Sequence, residues 1–460
     1  MRQVILDKIR VVDGVVTDTE LMTSHIILAT IDLTLYKTLS ELYKDLLAVK
    51  KEVFANDERI VVVYNSLVQK KLIDELLLVV DIPDFFVIFK ITNEREGIDF
   101  SFSDSFCIYP WINLRVSTIG DISPCCMFKG SIANLNQTTI KDVYQGEFMQ
   151  TLRRSFLNGE RPEQCGACWN EESVGKPSMR QRAKHKFREI YYQLNYQQEN
   201  INHLQLFDLN LGNACNLSCR ICNSLSSSSI ANQDHANGHI TDIELEDLKK
   251  SVRWADSKEF WDQLLEVVEN IKYLDLYGGE PLMSKMHFKF LQRLIELDVA
   301  KNIKIDYNSN GTIYSEQFFD LWQHFKEIKI SFSIDDIGDR FEQQRVGAKW
   351  NSVCENIIKY NAHRSEKFIT EVFPTINIQN VFYLPELLDW IDTQDFDHVA
   401  FNILYDPIEY NIISLSRDNK QQVINKLKSD NSIICKSVVA LLENSVDVAK
   451  KSRQINIIKV

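Results

Sequence analysis

The residues with the clearest chemical meaning are three cysteines, Cys215, Cys219 and Cys222, which are spaced C-x3-C-x2-C. Three thiolates this close in the chain can bind three irons of a cubane iron–sulfur cluster, which leaves the fourth iron without a protein ligand. An open coordination position on a metal is where a substrate or cofactor binds. A zinc site with a fourth ligand, such as His203 or His235, is the alternative.

A second segment that could bind a ligand is Gly278-Gly279-Glu280-Pro281, which follows the apolar run Tyr273–Tyr277. Glycines have no side chains, so their backbone carbonyls can come close to the ammonium group of a ligand. Glu280 adds a negative charge at the same place. In isolation this segment would indicate only a turn.

A second group of cysteines lies upstream and consists of Cys107, Cys125, Cys126, Cys165 and Cys168. The spacing C-x17-C, followed later by C-x2-C, suits a site with four thiolate ligands. Such a site binds either an iron–sulfur cluster or zinc.

The composition is that of an ordinary globular protein of 460 residues, long enough for two or three domains. The net charge of −12 argues against a general nucleic-acid-binding protein. A basic run, Arg180–Lys186, could contact phosphates, but we expect it to form a solvated helix face.

The sequence has no apolar stretch of 18 residues and no signal-peptide pattern, so we expect a cytoplasmic protein without membrane contact. In that reducing compartment, clustered cysteines bind metals more often than they form disulfides. The isolated Cys354 and Cys435 are expected to be small buried hydrophobic residues.

The first hundred residues predict a small parallel sheet in βαβαβ order without a glycine-rich phosphate loop. This module could recognise a partner or be a structural appendage. Its predicted strands are Ile26–Ile31, Arg59–Tyr64 and Phe85–Ile91, and its predicted helices are Tyr36–Phe54 and Val68–Val80.

Residues 94 to about 190 are predicted to form only a small hydrophobic core of their own. A bound metal cluster would supply the stability that such a core lacks. The predicted elements are a strand at Trp111–Val116, a turn at Thr118–Asp121 and helices at Thr139–Tyr144 and Phe148–Leu157.

From Leu204 onward, strands and helices alternate in six repeats, which predicts an α/β fold with a partial (β/α)6 parallel barrel. Chemistry in such barrels occurs at the carboxyl ends of the strands. The three-cysteine motif follows the first predicted strand and the GGEP segment ends the second. The predicted strands are Leu204–Leu211, Tyr273–Tyr277, Ile303–Tyr307, Ile328–Ile334, Glu371–Ile378 and His398–Leu404. The predicted helices are Lys258–Glu269, Met286–Leu297, Ser315–Phe325, Trp350–Ala362 and Pro385–Asp392.

Four segments are predicted as domains: a small α/β module, a loop-rich cluster domain, the barrel and a helical tail. Their predicted ranges are residues 1–95, 96–195, 196–410 and 411–460.

The three-cysteine motif, the GGEP segment and the barrel pattern together resemble the radical S-adenosylmethionine (SAM) enzymes over Leu204 to Leu404. The resemblance implies that Cys215, Cys219 and Cys222 hold a [4Fe–4S] cluster whose fourth iron binds SAM. One electron then cleaves SAM to a 5′-deoxyadenosyl radical, which abstracts hydrogen from a substrate.

The resemblance also implies a set of SAM-binding residues at the ends of the strands. The GGEP residues would lie against the SAM amine, and Arg345 would pair with its carboxylate. One position departs from the usual family pattern, because Ile221 occupies a site that is often aromatic and lies near adenine. The implied contacts are Gly278, Gly279, Glu280, Pro281, Asn310, Ser333, Asp335 and Arg345.

The upstream cysteines resemble a Twitch domain, a shortened SPASM domain that holds an auxiliary [4Fe–4S] cluster. The match implies Cys107, Cys125, Cys165 and Cys168 as ligands, with Cys126 as the alternative to Cys125. Adjacent thiolates cannot easily both serve one cubane. Twitch and SPASM domains usually follow the barrel, whereas here the motif precedes it.

The expected function is therefore that of a radical SAM enzyme, and the favoured substrate is a peptide or protein. Oxidation of a small polar metabolite such as an amino sugar is the second interpretation. A non-catalytic iron–sulfur or zinc protein is the third. The expected electron donor is a flavodoxin or ferredoxin.

Overall fold

The computed structural model describes four short strands near the start of the chain and most of the chain beyond residue 104. The described residues are 3–6, 9–13, 26–31, 59–63, 105–173, 177–187, 190, 194, 196, 203–430 and 432–457. The chain divides into two compact units, Met1–Ser101 and Phe102–Val460.

The first unit contains a four-stranded mixed sheet in the order β1-β2-β3-β4. Strands β3 and β4 are parallel, as predicted, but β2 runs antiparallel to both β1 and β3. The expectation of an all-parallel sheet was therefore wrong, because a hairpin precedes β3. The two predicted helices and the predicted strand Phe85–Ile91 lie outside the described residues. The strands are β1 (Gln3–Leu6), β2 (Ile9–Asp13), β3 (Ile26–Ile31) and β4 (Arg59–Val63).

The second unit begins with a region of short elements, as the sequence predicts. The predicted strand at Trp111–Val116 was half wrong, because a helical turn with Pro110 near its start runs from Tyr109 to Ile112. The elements are α1 (Tyr109–Ile112), β5 (Asn113–Val116), β6 (Asp121–Ser123), β7 (Ala133–Asn134), α2 (Ile140–Gln145), α3 (Glu147–Leu157), α4 (Gly166–Ser173) and α5 (Met179–Lys186).

The remaining elements alternate between strand and helix, and the main strands lie within a few residues of their predicted bounds. The strands are β8 (Leu206–Asn210), β9 (Ser218–Cys219), β10 (Tyr273–Tyr277), β11 (Lys304–Ser309), β12 (Glu327–Phe332), β13 (Arg345–Val346), β14 (Phe368–Val372), β15 (Thr375–Ile376), β16 (His398–Val399) and β17 (Asn402–Ile403). The helices are α6 (Ser228–Ala236), α7 (Asp242–Ser251), α8 (Lys258–Glu266), α9 (Lys285–Glu296), α10 (Glu316–Trp322), α11 (Gly338–Gln344), α12 (Trp350–Asn361), α13 (Leu384–Asp392), α14 (Arg417–Leu427) and α15 (Ile433–Ile457).

One nine-stranded sheet organises the second unit, in the order β16-β14-β12-β11-β10-β8-β5-β6-β7. The strands from β16 to β5 are parallel, and β6 and β7 continue the sheet antiparallel. Strands β16 and β7 form the two edges, so the barrel is open. The prediction of an α/β fold with a partial parallel barrel is confirmed.

The cluster region and the barrel share this sheet, because β5 pairs in parallel with β8, the first barrel strand. Both regions belong to the compact unit Phe102–Val460. The pairing connects the chain around the upstream cysteines directly to the strand that leads into Cys215.

The two faces of the barrel sheet differ in polarity. In β10, Leu274 and Leu276 are buried, while the alternating Tyr273, Asp275 and Tyr277 are only partly buried. Strands β11 and β12 show the same alternation. The inner face of the open barrel is consequently polar.

After the barrel, α14 and α15 pack against each other. None of the helices in the described part of the chain combines the length and the apolar character needed to cross a lipid bilayer.

Candidate iron–sulfur and cofactor sites

The three-cysteine loop leaves β8 at the carboxyl edge of the sheet, as the sequence predicts. The carbonyl of Cys215 accepts a hydrogen bond from Ser229 Oγ at 2.7 Å. Cys219 lies in β9, which pairs antiparallel with β13 and sets Cys219 opposite Arg345. The backbone N–H of Cys222 donates to the carbonyl of Cys219 at 3.1 Å. The backbone that carries all three thiols is therefore held by neighbouring segments.

The GGEP segment packs directly on this cysteine loop. The N–H of Glu280 donates to the carbonyl of Ala214 at 2.8 Å. A Cβ atom on Gly279, whose φ is +47°, would lie 2.2 Å from that same carbonyl oxygen. A Cβ atom on Gly278 would lie 1.7 Å from Oδ1 of Asn210. Both positions therefore require glycine, because only glycine lets the two loops approach this closely.

The Glu280 carboxylate connects the ends of β10 and β11. Its oxygens accept hydrogen bonds from the N–H of Asn310 at 2.8 Å, from Ser309 Oγ at 3.1 Å and from the N–H of Leu282 at 3.3 Å. The residue is 1% exposed, and burial raises the pKa of its carboxyl group to about 7 despite these donors. Pro281 is also buried and starts a short 3-10 turn.

Asn310 lies between the GGEP segment and the cysteines. Its side-chain amide donates to Asn216 Oδ1 at 3.0 Å and lies 4.0 Å from the sulfur of Cys215. Ser309 and Asn216 were missed in the sequence analysis. The signal for Ser309 was its position at the end of a predicted strand beside the asparagine that was noted.

Asp335 and Arg345 form a buried ion pair beside the cysteine loop. Arg345 Nε and Nη2 lie 2.9 and 2.8 Å from Asp335 Oδ2, and Asp335 Oδ1 accepts from the N–H of Thr375. Ser333 is partly buried and donates its N–H to the carbonyl of Ser309 at 2.9 Å. All the residues proposed to bind SAM therefore lie at one edge of the sheet, although Arg345 pairs here with a protein carboxylate.

Burial raises the pKa of all three motif thiols, with that of Cys219 reaching about 11. The Arg345 guanidinium opposes this rise at Cys219 and Cys222. A metal that binds here must displace protons from the thiols, and a nearby cation eases that step.

Four of the five upstream cysteines line a second cavity, separate from the three-cysteine loop. Burial raises the pKa of the thiols of Cys107, Cys125 and Cys165, and that of Cys165 reaches about 12. Four thiols around a mainly apolar space match the donor set of a [4Fe–4S] cluster. The cavity is lined in part by Cys107, Cys125, Cys165, Cys168, Met179 and Arg180.

Cys125 and Cys126 differ clearly in their surroundings. Cys125 lines the cavity, whereas Cys126 is exposed and its sulfur lies 3.4 Å from Met179 Sδ. This geometry favours Cys125 as the second ligand over its neighbour.

Arg180 corrects the expectation that the basic run is only a solvated helix face. The residue is 8% exposed and borders the cavity, although Arg182 and Lys184 on the same helix are exposed. Of the isolated cysteines, Cys354 lies partly buried in α12 and Cys435 is fully buried in α15.

Across the described residues, no group of three or more histidine, cysteine, aspartate or glutamate side chains is arranged as ligands of one metal ion. A [4Fe–4S] cluster does not need such a group, because each thiolate binds a different iron.

A row of charged residues crosses the inner face of the barrel and was missed in the sequence analysis. Arg115, Asp208, Asp275, Asp306 and Lys329 occupy successive paired positions on β5, β8, β10, β11 and β12. The sequence signal was an aspartate at the middle of three predicted strands, in LFDLN, YLDLY and KIDYN.

The cationic residue at each end of this row contacts a neighbouring side chain. Arg115 Nε donates to the Tyr277 hydroxyl at 3.2 Å, and that hydroxyl also bonds to Asp208. Lys329 Nζ lies 3.4 Å from Asp306. Burial, with Asp306 beside it, raises the pKa of the central Asp275 to about 7.

Comparison with known protein families identifies two domains. Residues 209–391 match the radical SAM superfamily, and residues 107–169 match SPASM, an iron–sulfur cluster-binding domain. The first range contains the three-cysteine and GGEP segments, and the second begins at Cys107 and ends just after Cys168. The predicted resemblance is confirmed, including the unusual order in which the cluster domain precedes the barrel.

Solved structures with similarity to the chain include native anSMEcpe with bound AdoMet and Streptococcus suis SuiB. The anSMEcpe structure is 17% identical with a TM-score of 0.35, and the match covers 49% of this chain and 58% of that chain. The SuiB structure is 13% identical with a TM-score of 0.33, covering 72% and 70%. SuiB bound to precursor peptide SuiA is also 13% identical with a TM-score of 0.32, covering 69% and 68%. No curated protein sequence gives a significant match.

Proposed function

Because the chain carries a radical SAM domain preceded by a SPASM iron–sulfur domain, we propose that it is an enzyme that cleaves SAM reductively. Cys215, Cys219 and Cys222 would hold the [4Fe–4S] cluster that binds SAM. That cluster would supply one electron to break the S–C5′ bond and yield a 5′-deoxyadenosyl radical. The protein would then direct this radical to a C–H bond of its substrate.

The observation that carries the proposal is the contact between the three-cysteine loop and the GGEP segment. Two glycines with no room for a Cβ atom bring the backbone at Glu280 within 2.8 Å of Ala214, the residue before Cys215. With the two segments this close, backbone carbonyls of the GGEP residues would accept hydrogen bonds from an ammonium group bound beside the thiols. A simple turn elsewhere in a scaffold would not need such a contact.

Asn310, Ser333, Asp335 and Arg345 would complete the SAM site from the ends of the next strands. Asn310 already contacts the cysteine loop, and Arg345 lies opposite Cys219. Because Arg345 pairs with Asp335 in the structure, we propose that this ion pair orients the arginine toward the bound cofactor.

Cys107, Cys125, Cys165 and Cys168 would hold the auxiliary [4Fe–4S] cluster. Four thiolates leave no iron open, so this cluster would not bind substrate directly. Its role would be to accept or relay an electron, or to brace the short elements around it. The physiological electron donor to the protein would be a flavodoxin or ferredoxin.

The test of SAM cleavage is an anaerobic assay for 5′-deoxyadenosine with dithionite as reductant. We expect the wild-type protein to bind about eight irons and to form 5′-deoxyadenosine. The variant with Cys215, Cys219 and Cys222 all changed to alanine should keep about four irons and form none. Cys354→Ala is the matched control and should behave as wild type. Cleavage by the triple variant, or none by a wild-type protein with both clusters, would overturn the proposal.

For the substrate, we propose a peptide or protein. The support is the separate first unit, Met1–Ser101, which forms a compact body of its own and contains none of the cysteines. A module of this kind is useful for recognising a large substrate and less useful for a metabolite. A small polar metabolite such as an amino sugar remains the second candidate.

Deuterium transfer can separate these two candidates. The enzyme is incubated with SAM, reductant and a perdeuterated cell extract divided into a peptide and a small-molecule fraction. Deuterium in 5′-deoxyadenosine from the peptide fraction alone supports the peptide. Transfer from the small-molecule fraction alone would favour the metabolite.

A further inference from the structure

One buried cation borders the cavity of the upstream cysteines. Arg180 is 8% exposed, and its side chain forms part of the wall that also contains Cys107, Cys125, Cys165 and Cys168. A charged side chain is rarely buried unless it is paired and hydrogen-bonded. The contacts of Arg180 therefore indicate what it does.

Three contacts fix the orientation of the guanidinium. Nη2 lies 2.6 Å from a carboxylate oxygen of Glu172, and Nη1 donates to the carbonyl of Phe106 at 3.0 Å. The group also stacks over the ring of Trp169, with 4.7 Å between its central carbon and the ring centroid. The side chain is thus held in place from several sides, and it is bonded to the residue next to Cys107.

The third nitrogen of the group, Nε, is buried, and its N–H has no hydrogen-bond acceptor among the described residues. A buried donor without a partner costs about 1–3 kcal/mol. The two terminal nitrogens of the same group do have partners. An acceptor for Nε would be supplied by a group that occupies the cavity.

The positive charge of Arg180 also favours a negatively charged group in the cavity. Its guanidinium borders the same cavity as the thiols of Cys107 and Cys165. A field that favours thiolates also favours a cluster carrying additional negative charge. Hydrogen bonds to sulfur and net charge are two of the factors that set iron–sulfur reduction potentials.

We propose that Arg180 raises the reduction potential of the auxiliary cluster by presenting its Nε–H and its positive charge to the four-cysteine cavity. This inference rests on the proposed function, because it requires the auxiliary cluster. It makes Arg180 the residue that adapts this cluster to exchange electrons in the reaction.

The test is an anaerobic redox titration, followed by electron paramagnetic resonance, of protein in which Cys215, Cys219 and Cys222 are alanine. Only the auxiliary cluster then contributes to the signal. Arg180→Gln removes the charge and the Nε–H, while Arg180→Lys keeps the charge alone. Arg182→Gln is the matched control, because Arg182 is an exposed arginine on the same helix.

We expect Arg180→Gln to lower the equilibrium constant for reduction at least tenfold, which is about 59 mV for one electron. Arg180→Lys should shift in the same direction by less, and Arg182→Gln should match the parent. A shift in Arg180→Gln no larger than in Arg182→Gln, with about four irons retained, would overturn the proposal.

If Arg180→Gln does not bind iron, the Arg180→Lys variant provides the test instead. A reduction potential of Arg180→Lys equal to that of the parent would then overturn the proposal. A parent protein without iron would also overturn it, while cleavage of SAM by the wild-type protein would leave the proposed function intact.

Discussion

The two groups of cysteines in this molecule are supported in different ways. Cys215, Cys219 and Cys222 sit in a loop after one barrel strand, and that loop contacts residues at the ends of the next strands, such as Glu280 and Asn310. The upstream thiols instead come from loops and short helices that close around an apolar cavity with one buried cation, Arg180. The first arrangement suits a site that must admit a cofactor, and the second suits a group that is enclosed by protein.

The largest expected effect distinguishes the neighbouring residues Cys125 and Cys126 as ligands of the enclosed site. Cys125→Ala removes a thiol from the cavity wall, so we expect the protein to lose about four of about eight irons. Cys126→Ala is the matched control and should keep them all, because its sulfur is exposed and lies beside Met179. Iron and sulfide analysis after anaerobic reconstitution measures both. The reverse result would assign the ligand to Cys126.

The contact between loops that characterises the first site can be broken at Gly279. In Gly279→Ala the new Cβ would lie 2.2 Å from a backbone oxygen, so we expect no SAM cleavage and a loss of about 1–3 kcal/mol beyond the cost of the left-handed backbone. Gly238→Ala is the matched control, because its φ is +71° but no atom lies within 4 Å of the new Cβ. That control should lose only about 1–2 kcal/mol.

Denaturant unfolding and the 5′-deoxyadenosine assay measure the effect of the glycine substitutions. Equal stability of the two glycine variants would show that the loops can separate without cost.

A smaller change tests the carboxylate that links β10 to β11. Glu280→Gln replaces an acceptor with a donor facing Asn310 N–H, Ser309 or Leu282 N–H, so we expect a loss of about 1–3 kcal/mol in the free energy of unfolding. We also expect SAM affinity to fall about 10- to 100-fold, as it does when supporting residues of a metal site are lost. Exposed Glu266→Gln on α8 is the control and should change neither quantity.

Calorimetric titration with SAM measures the affinity of the Glu280 variant. Unchanged affinity together with lower stability would limit Glu280 to a structural role.

The smallest expected effect concerns the charged row in the barrel. The folded protein keeps the proton on Asp275 up to about pH 7, whereas the unfolded chain releases it near pH 4. The free energy of unfolding of wild type should therefore fall relative to Asp275→Asn as pH rises from about 4 to about 7, and the difference should stay constant above that.

Because the Asp275 side chain is partly exposed and solvent screens its interactions, we expect the change to be smaller than the roughly 4 kcal/mol that the two pKa values alone would give. Asp262→Asn, an exposed aspartate on α8, is the control and should show no such trend. Urea unfolding at several pH values measures it, and parallel curves for wild type and Asp275→Asn would contradict the shifted pKa.

Much of the fold could be predicted because its signals are local. The short apolar segments Tyr273–Tyr277 and Ile303–Tyr307 located strands β10 and β11 to within two residues. One exception is the short helix Tyr109–Ile112, where Pro110 favours a helical turn directly before a strand-like run. The hairpin of β1 and β2 was missed although Asp7-Lys8 separates two short apolar runs.

The sequence by itself determined the chemistry, since the types and spacing of Cys215, Cys219, Cys222 and the GGEP segment indicate an open iron–sulfur site. Only the tertiary structure decided that Cys125 and not Cys126 lines the cavity, that Arg345 pairs with Asp335 and that Arg180 is buried. It also decided that β5 continues the barrel sheet. The reason is physical: spacing along the chain fixes which atoms are available, whereas strand register and side-chain packing between distant segments fix which of them meet.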